Sequence, residues 1–219
     1  MLTFDDIRNN EEIRTYIRKG NENLGVLGFT EHAFAHAKRA SQTAAEILAK
    51  LGYSEREIEL ARIAGYMHDI GNCINRTDHA HTGALMAMNI LRGMGMAPQD
   101  MAVVIAAIGQ HDEKTGTAVD AVSAALILAD KCDVRRSRVR GRDSARFDIH
   151  DRVNFAARSS KLRVDAAERK IVLDIELDDA MCSMLDYFEI FMERMLMCRR
   201  AAEMLGCKFR LTANGSKVL

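Results

Sequence analysis

The chain has 219 residues, 48% of them hydrophobic and 28% charged, with a formal net charge of +0. That length suits one sizeable core, or a core with a small appended unit, and is too short for two full-sized domains. Neutrality excludes a global attraction to nucleic acid or to an anionic membrane, so any recognition of phosphate must be local.

The first 25 residues, MLTFDDIRNNEEIRTYIRKGNENLG, carry a charge every few positions, and no apolar run approaches the roughly 18 residues of a membrane-spanning helix. The expectation is a cytoplasmic protein with no membrane partner. Cysteines at 73, 132, 182, 198 and 207 are widely spaced and form no CxxC pair. They read as reduced, mostly buried thiols, and argue against a disulfide framework or a zinc ribbon. A single proline, Pro98, and 13 methionines without a tryptophan point to long uninterrupted helices packed by flexible apolar side chains.

Helices are predicted to dominate from residue 5 to about 158. FAHAKRASQTAAEILAKLG sets Ala40, Ala44, Ile47, Leu48 and Leu51 on one stripe, with Gly52 as its stop. Ser54 and Glu57 form a capping-box pattern ahead of IELARIAGYMHD, a helix expected to be buried and to end at Asp69, Ile70 and Gly71. HTGALMAMNILRGMG, PQDMAVVIAAIGQH and VDAVSAALILADKCD supply further helices rich in alanine, leucine and methionine. Near residue 160 the pattern changes: KLRVDAAERKIVLDIELD alternates about a polar tip as a β-hairpin would. DDAMCSMLDYFEIFMERMLMCRRAAEMLG then returns to helical periodicity, and CKFRLTANG reads as a third strand. The predicted fold is mainly α, a helical bundle over residues 1–158 with a small β-β-α-β appendage over 159–219 packed on it.

Six of the seven histidines, at 32, 36, 68, 79, 81 and 111, fall within 80 residues of otherwise apolar, helical sequence. Imidazole nitrogens and carboxylate oxygens converging in a bundle make a divalent-metal site that needs no thiolate. A single histidine on an apolar helix is ordinarily a satisfied core or surface residue. The joint pattern carries the reading.

The order His36, then His68-Asp69, then Asp130 in ALILADKCD resembles the HD superfamily of metal-dependent phosphohydrolases. The resemblance covers roughly residues 30 to 140, each motif residue in a segment like its family counterpart. It is strongest to the two-metal members, which add a histidine four residues before a glycine and another in a QH or HH pair. Here His79 stands four before Gly83, and His111 closes AAIGQH. The resemblance implies an HD-type bundle in which His36, His68, Asp69 and Asp130 hold one metal. A second is implied on His79, His111 and Asp69, with the bridging Asp69 as the catalytic residue.

Two divalent ions, iron or manganese foremost with nickel, cobalt, zinc or magnesium as options, would activate a hydroxide against phosphorus. His81 is the rival of His79, and two residues apart on a helix they face different ways. His32, one turn before His36, is expected near the site. Lys131 and the arginines at 135, 136, 138, 140 and 142 offer charge for phosphate, with Lys131, Arg135 and Arg138 taken as substrate-binding. The expected partner is a small phosphorylated substrate, a nucleotide first among them, with nucleic acid disfavoured and a homodimer an option. Two rivals stand beside hydrolysis: a two-iron HD oxygenase and a non-catalytic nucleotide-sensing module.

Overall fold

The computed structural model describes residues 2–140 and 149–218, with side chains from residue 151 onward in the second stretch. Arg142 of the arginine-rich run lies outside the described residues. Helices α1 (Phe4–Asn9), α2 (Glu11–Val26), α3 (Phe34–Lys50), α4 (Glu55–Met67), α5 (His79–Gly93), α6 (Pro98–Gly109), α7 (Ala121–Lys131) and α8 (Ile149–Ala156) precede a sheet of β1 (Ala157–Asp165), β2 (Lys170–Leu177), β3 (Lys208–Ala213) and β4 (Ser216–Lys217). Helix α9 (Met184–Met204) lies between β2 and β3. The fold is mainly α, with the small sheet confined to the C-terminal part, as the periodicity predicts.

Local chemistry sets the helix ends. Ser54 caps α4 through its hydroxyl while the Glu57 carboxylate returns to the Ser54 N–H at 3.0 Å. Gly52 takes a positive φ of 81° after α3, the conformation glycine adopts most cheaply. Helix α4 stops at Met67, earlier than the sequence suggests, because a 3₁₀ turn over Ile70–Cys73 takes over. Helix α5 starts two residues earlier than expected, at His79.

Helix α7 is the centre of the bundle: Val122 through Ala129 are all buried, with α3 and α4 on one side and α9 on another. Close approach of α3 and α4 depends on Gly65, where a Cβ would meet the Ser41 backbone at 2.7 Å. Gly71 plays the same part between the 3₁₀ turn and α5, since a Cβ there would lie 2.1 Å from the His79 carbonyl oxygen.

In the C-terminal layer β1 pairs antiparallel with β2, and β2 pairs parallel with β3. A parallel pair needs a long crossover, and α9 is that crossover. Ile171, Leu173 and Ile175 stand opposite Phe209, Leu211 and Ala213, all buried. Tyr187, Phe191, Met195, Cys198 and Ala202 form the buried stripe of α9. A short β4, absent from the sequence-based expectation, closes antiparallel on β3. One apolar cluster runs from Ile7 through α7 to Leu211. Among the described residues no helix is long and apolar enough to cross a membrane, and all five cysteines are free.

Candidate metal centre

Five helix ends converge at one pole of the bundle. The first turn of α3 carries His36, the end of α4 carries His68 and Asp69, and α5 opens with His79. His111 follows α6, and Asp130 stands in the last turn of α7. His36, His68, His79 and His111 are all at most 3% exposed, and Asp69 is 9% exposed.

Each of the four imidazoles spends its Nδ1 on an oxygen. Nδ1–H of His36 donates to Asp133 Oδ2 at 2.8 Å, that of His68 to the Gly65 carbonyl at 2.9 Å, that of His79 to the Arg76 carbonyl at 3.0 Å, and that of His111 to the Ile108 carbonyl at 2.6 Å. Carbonyl and carboxylate oxygens only accept, so the proton of each neutral ring is on Nδ1 and the lone pair is on Nε2. Those lone pairs face one another: Nε2 of His36 and His68 are 3.2 Å apart, and Nε2 of His79 and His111 are 3.1 Å apart.

Carboxylates complete both pairs. Asp130 Oδ1 lies 3.2 Å from His36 Nε2 and 3.7 Å from His68 Nε2. Asp69 spans the two pairs: Oδ2 is 3.3 Å from His68 Nε2, while Oδ1 is 3.6 Å from His79 Nε2 and 3.9 Å from His111 Nε2. Asn72 Nδ2 donates to Oδ1 at 2.8 Å and orients the carboxylate, whereas Oδ2 is buried without a hydrogen-bond partner. His36, His68 and Asp130, and likewise His68, Asp69 and His111, lie close enough to surround a single ion.

Electrostatics calls for positive charge here. Burial opposes the imidazolium of His68, yet Asp69 and Asp130 outweigh it and push its pKa up to about 10, so that with no cation beside it Nε2 of His68 takes a proton in the place a metal would hold. Burial likewise works against ionised Asp69 and Asp130, but His68 on the first and Lys131 on the second hold both well below the usual carboxylate range. Burial lowers His111 and His79, which keeps their nitrogens free as donors to a metal. The donor set of lone-pair nitrogens, ionised oxygens and an orphaned Asp69 Oδ2 fits a divalent cation.

A cleft of about 380 Å³ opens onto Asp69, His79, His111 and Asp130. Lys131 reaches it with its ammonium between Asp130 Oδ2 at 2.8 Å and Glu113 Oε2 at 2.7 Å. Arg138 lines it too, buried and donating to the carbonyls of Glu31 and Asp133. Arg135 does not line it: its guanidinium turns back onto Asp133, with Nε on Oδ1 at 2.6 Å and Nη2 on Oδ2 at 3.0 Å. His32 stands at the rim, its ring edge-on to His36 with centroids 5.5 Å apart, whereas His81 is exposed on the far face of α5.

Sequence reasoning missed Asp133, which orients His36, and Arg76, whose Nη1 lies 3.2 Å from His79 Nε2. It also missed Glu113 and Arg194. The latter comes from α9, joins Glu113 at 3.1 Å and lines the same cleft. Asp133 was within reach, three residues after Asp130; a contribution from α9 leaves no local signal.

A sequence profile described as HD domain matches residues 33–146. The chain belongs to the HD domain family. All six residues that converge at the pole fall inside the matched span, and Arg194 falls outside it. An uncharacterized protein of Methanocaldococcus jannaschii, MJ1020, is 25% identical over 162 residues, which are 64% of this chain and 62% of that protein. The chain therefore matches less than two thirds of the relative's length. A crystal structure of a predicted HD superfamily hydrolase from an uncultured Thermotogales bacterium is 27% identical, covering 57% of this chain and 68% of the other, with a TM-score of 0.45. The HD domain is helical and binds divalent metals, in keeping with the bundle and its pole.

Proposed function

We propose that the protein is a phosphohydrolase holding two divalent cations and acting on a small phosphorylated substrate, with nucleotides the first class to test. One observation carries the reading: four buried imidazoles with every Nδ1 committed and their Nε2 lone pairs facing in two pairs across a shared Asp69. Without a positive charge between them, a metal cation or a proton, facing lone pairs repel. With a metal cation in each pair the arrangement becomes two sites, His36, His68, Asp69 and Asp130 on one side and His79, His111 and Asp69 on the other. Nitrogen and oxygen donors suit iron and manganese, and also nickel, cobalt, zinc or magnesium. Bound there, the cations supply Lewis acidity and lower the pKa of water toward neutrality.

The chain's own residues do the rest. Asp69 ties the two sites together. Lys131 fixes Asp130, and Asp133 fixes His36, so the donor atoms are held before substrate arrives. Around the cleft Arg76, Lys114, Arg138 and Arg194 join Lys131 as cations, set among the acids Asp78, Asp112 and Glu113, and offer the partners that phosphate oxygens require. Among the described residues no carboxylate lies within 4 Å of Arg76 or Lys114, and Arg76, whose Nη1 rests on Asn72 Oδ1 at 3.3 Å and lies 3.2 Å from His79 Nε2, is the candidate for phosphate contact beside the donor pairs. Those cations beside the donor set favour phosphate hydrolysis over the two-iron oxygenase reading, which shares the donor set.

Elemental analysis of protein purified without chelator, run beside phosphate release from a panel of nucleotides and simple phosphate esters, tests the proposal. About two equivalents of metal per chain with metal-dependent phosphate release are expected. Folded protein without metal, or oxygen consumption in place of phosphate release, overturns it.

A further inference from the structure

A second concave surface is separate from the metal cleft and shares no lining residue with it. It holds about 350 Å³ between the segment from Val134 to Ser137 and the start of β1. Five cations line it: Arg39 from α3, Arg135 and Arg136 from the turn after α7, and Arg158 and Lys161 from β1. We propose that this groove is a second anion-binding site, taking the phosphate chain of a small molecule.

The first argument is charge. Among the described residues two carboxylates, Asp133 and Asp178, reach these five cations within 4 Å. Asp133 takes Arg39 at 3.5 Å and Arg135 at 2.6 Å, and Asp178 takes Arg158 at 3.0 Å and Arg136 at 4.0 Å. Asp174 stands opposite Lys161 across the strands but is already joined to Arg163 at 2.6 Å. Like charges crowded into one groove repel, and in a chain of net charge +0 an unbalanced cluster of this size marks a place for a counter-anion.

The second argument is geometry. Arg135 is preset by its two-pronged grip on Asp133, and its Nη1 donates to Ser137 Oγ at 3.0 Å, which leaves the Ser137 hydroxyl proton for an acceptor in the groove. Arg136 is stacked over the Phe155 ring at 4.7 Å. Arg158 and Lys161 lie on β1, which is an edge strand, so nothing in the sheet covers them on that side.

Size and aromatic content choose the ligand. The groove is an open concavity of small-molecule volume lined by a short stretch of residues, and the nearby Phe155 is occupied by Arg136. A nucleic-acid strand would need a longer path and a free stacking surface, whereas a di- or triphosphate chain needs neither.

The experiment is calorimetric titration of the full-length protein with methylenebisphosphonate, a phosphate-chain analogue that resists hydrolysis. Magnesium is kept in excess of the ligand so that no metal is drawn from the protein. Arg158→Gln combined with Lys161→Gln removes charge from two exposed side chains of β1 and leaves the core alone. Two binding events are expected in the wild type. The double variant should weaken one of them at least tenfold and keep the other, while Arg76→Gln should do the reverse. A single event insensitive to the double variant, or no binding to the wild type below millimolar ligand, overturns the proposal. If RNA oligonucleotides bind at this face and the bisphosphonate does not, the small-molecule assignment is overturned as well.

Discussion

The layer of α9 and the sheet buries apolar side chains on apolar side chains, whereas the pole around Asp69 buries four imidazoles and the carboxylates of Asp69 and Asp133, with Asp130 close to buried. In the first region every level agrees: strand alternation, the helical stripe and cross-strand partners such as Leu173 and Leu211 all point to one packing. In the second, polar groups are taken out of water and pointed at one another, at a cost that packing does not offset. A fold carries such a conflict where function requires it, and here the conflict is relieved by positive charge.

Breaking the pole should cost activity before stability. Asp69→Asn keeps the side-chain shape but removes the charge shared by both donor pairs. It should empty at least one site by elemental analysis and lower phosphate release by several kcal/mol of transition-state stabilisation, on the order of a thousandfold. Retention of both metal equivalents in Asp69→Asn would contradict the assignment.

Breaking the apolar layer should do the opposite. Leu173→Ala removes a fully buried side chain packed on Leu211 and should cost about 2–5 kcal/mol in denaturant unfolding. Metal content per folded chain should stay as in the wild type. Loss of metal in this variant would show that the sheet supports the centre directly.

Asp133→Asn sits between these extremes. It leaves an acceptor for His36 Nδ1–H but removes the charge that holds Arg135 and Arg39. Loss of such support to a metal-binding histidine typically costs 10- to 100-fold in metal affinity. A competition titration against a metal indicator reads the shift, and an affinity equal to that of the wild type would reduce Asp133 to a buried anchor for Arg135.

How much of this was legible in the sequence follows the same division. The bundle and the change of pattern near residue 160 were readable because each helix carries its own periodicity and the strands alternate. The parallel pairing of β2 with β3 was not readable from β3, whose alternation is the same for either direction. The histidines and aspartates of the pole could be read together because their spacing along the chain is distinctive, and the glycine rule that preferred His79 to His81 has a physical basis. Gly83 lets the turn after α4 approach α5, with the His68 carbonyl oxygen 3.2 Å from where a Cβ would be. Arg135 and Arg138 look alike in sequence, yet one 3₁₀ turn separates a residue held on Asp133 from one lining the cleft.

Arg194 is the position where the two regions meet, and it tests whether they are separate at all. It belongs to α9, packs its guanidinium 4.3 Å above the Phe191 ring and joins Glu113, which also holds Lys131. If the apolar layer is only support, Arg194→Gln should leave the kinetics unchanged. If α9 helps bind substrate, the variant should raise KM about tenfold, in line with one charge-assisted hydrogen bond, while kcat stays near the wild-type value. The second result is expected, because the guanidinium lines the cleft while resting on a single carboxylate shared with Lys131. A fall in kcat at constant KM would instead place its effect on Lys131 and Asp130.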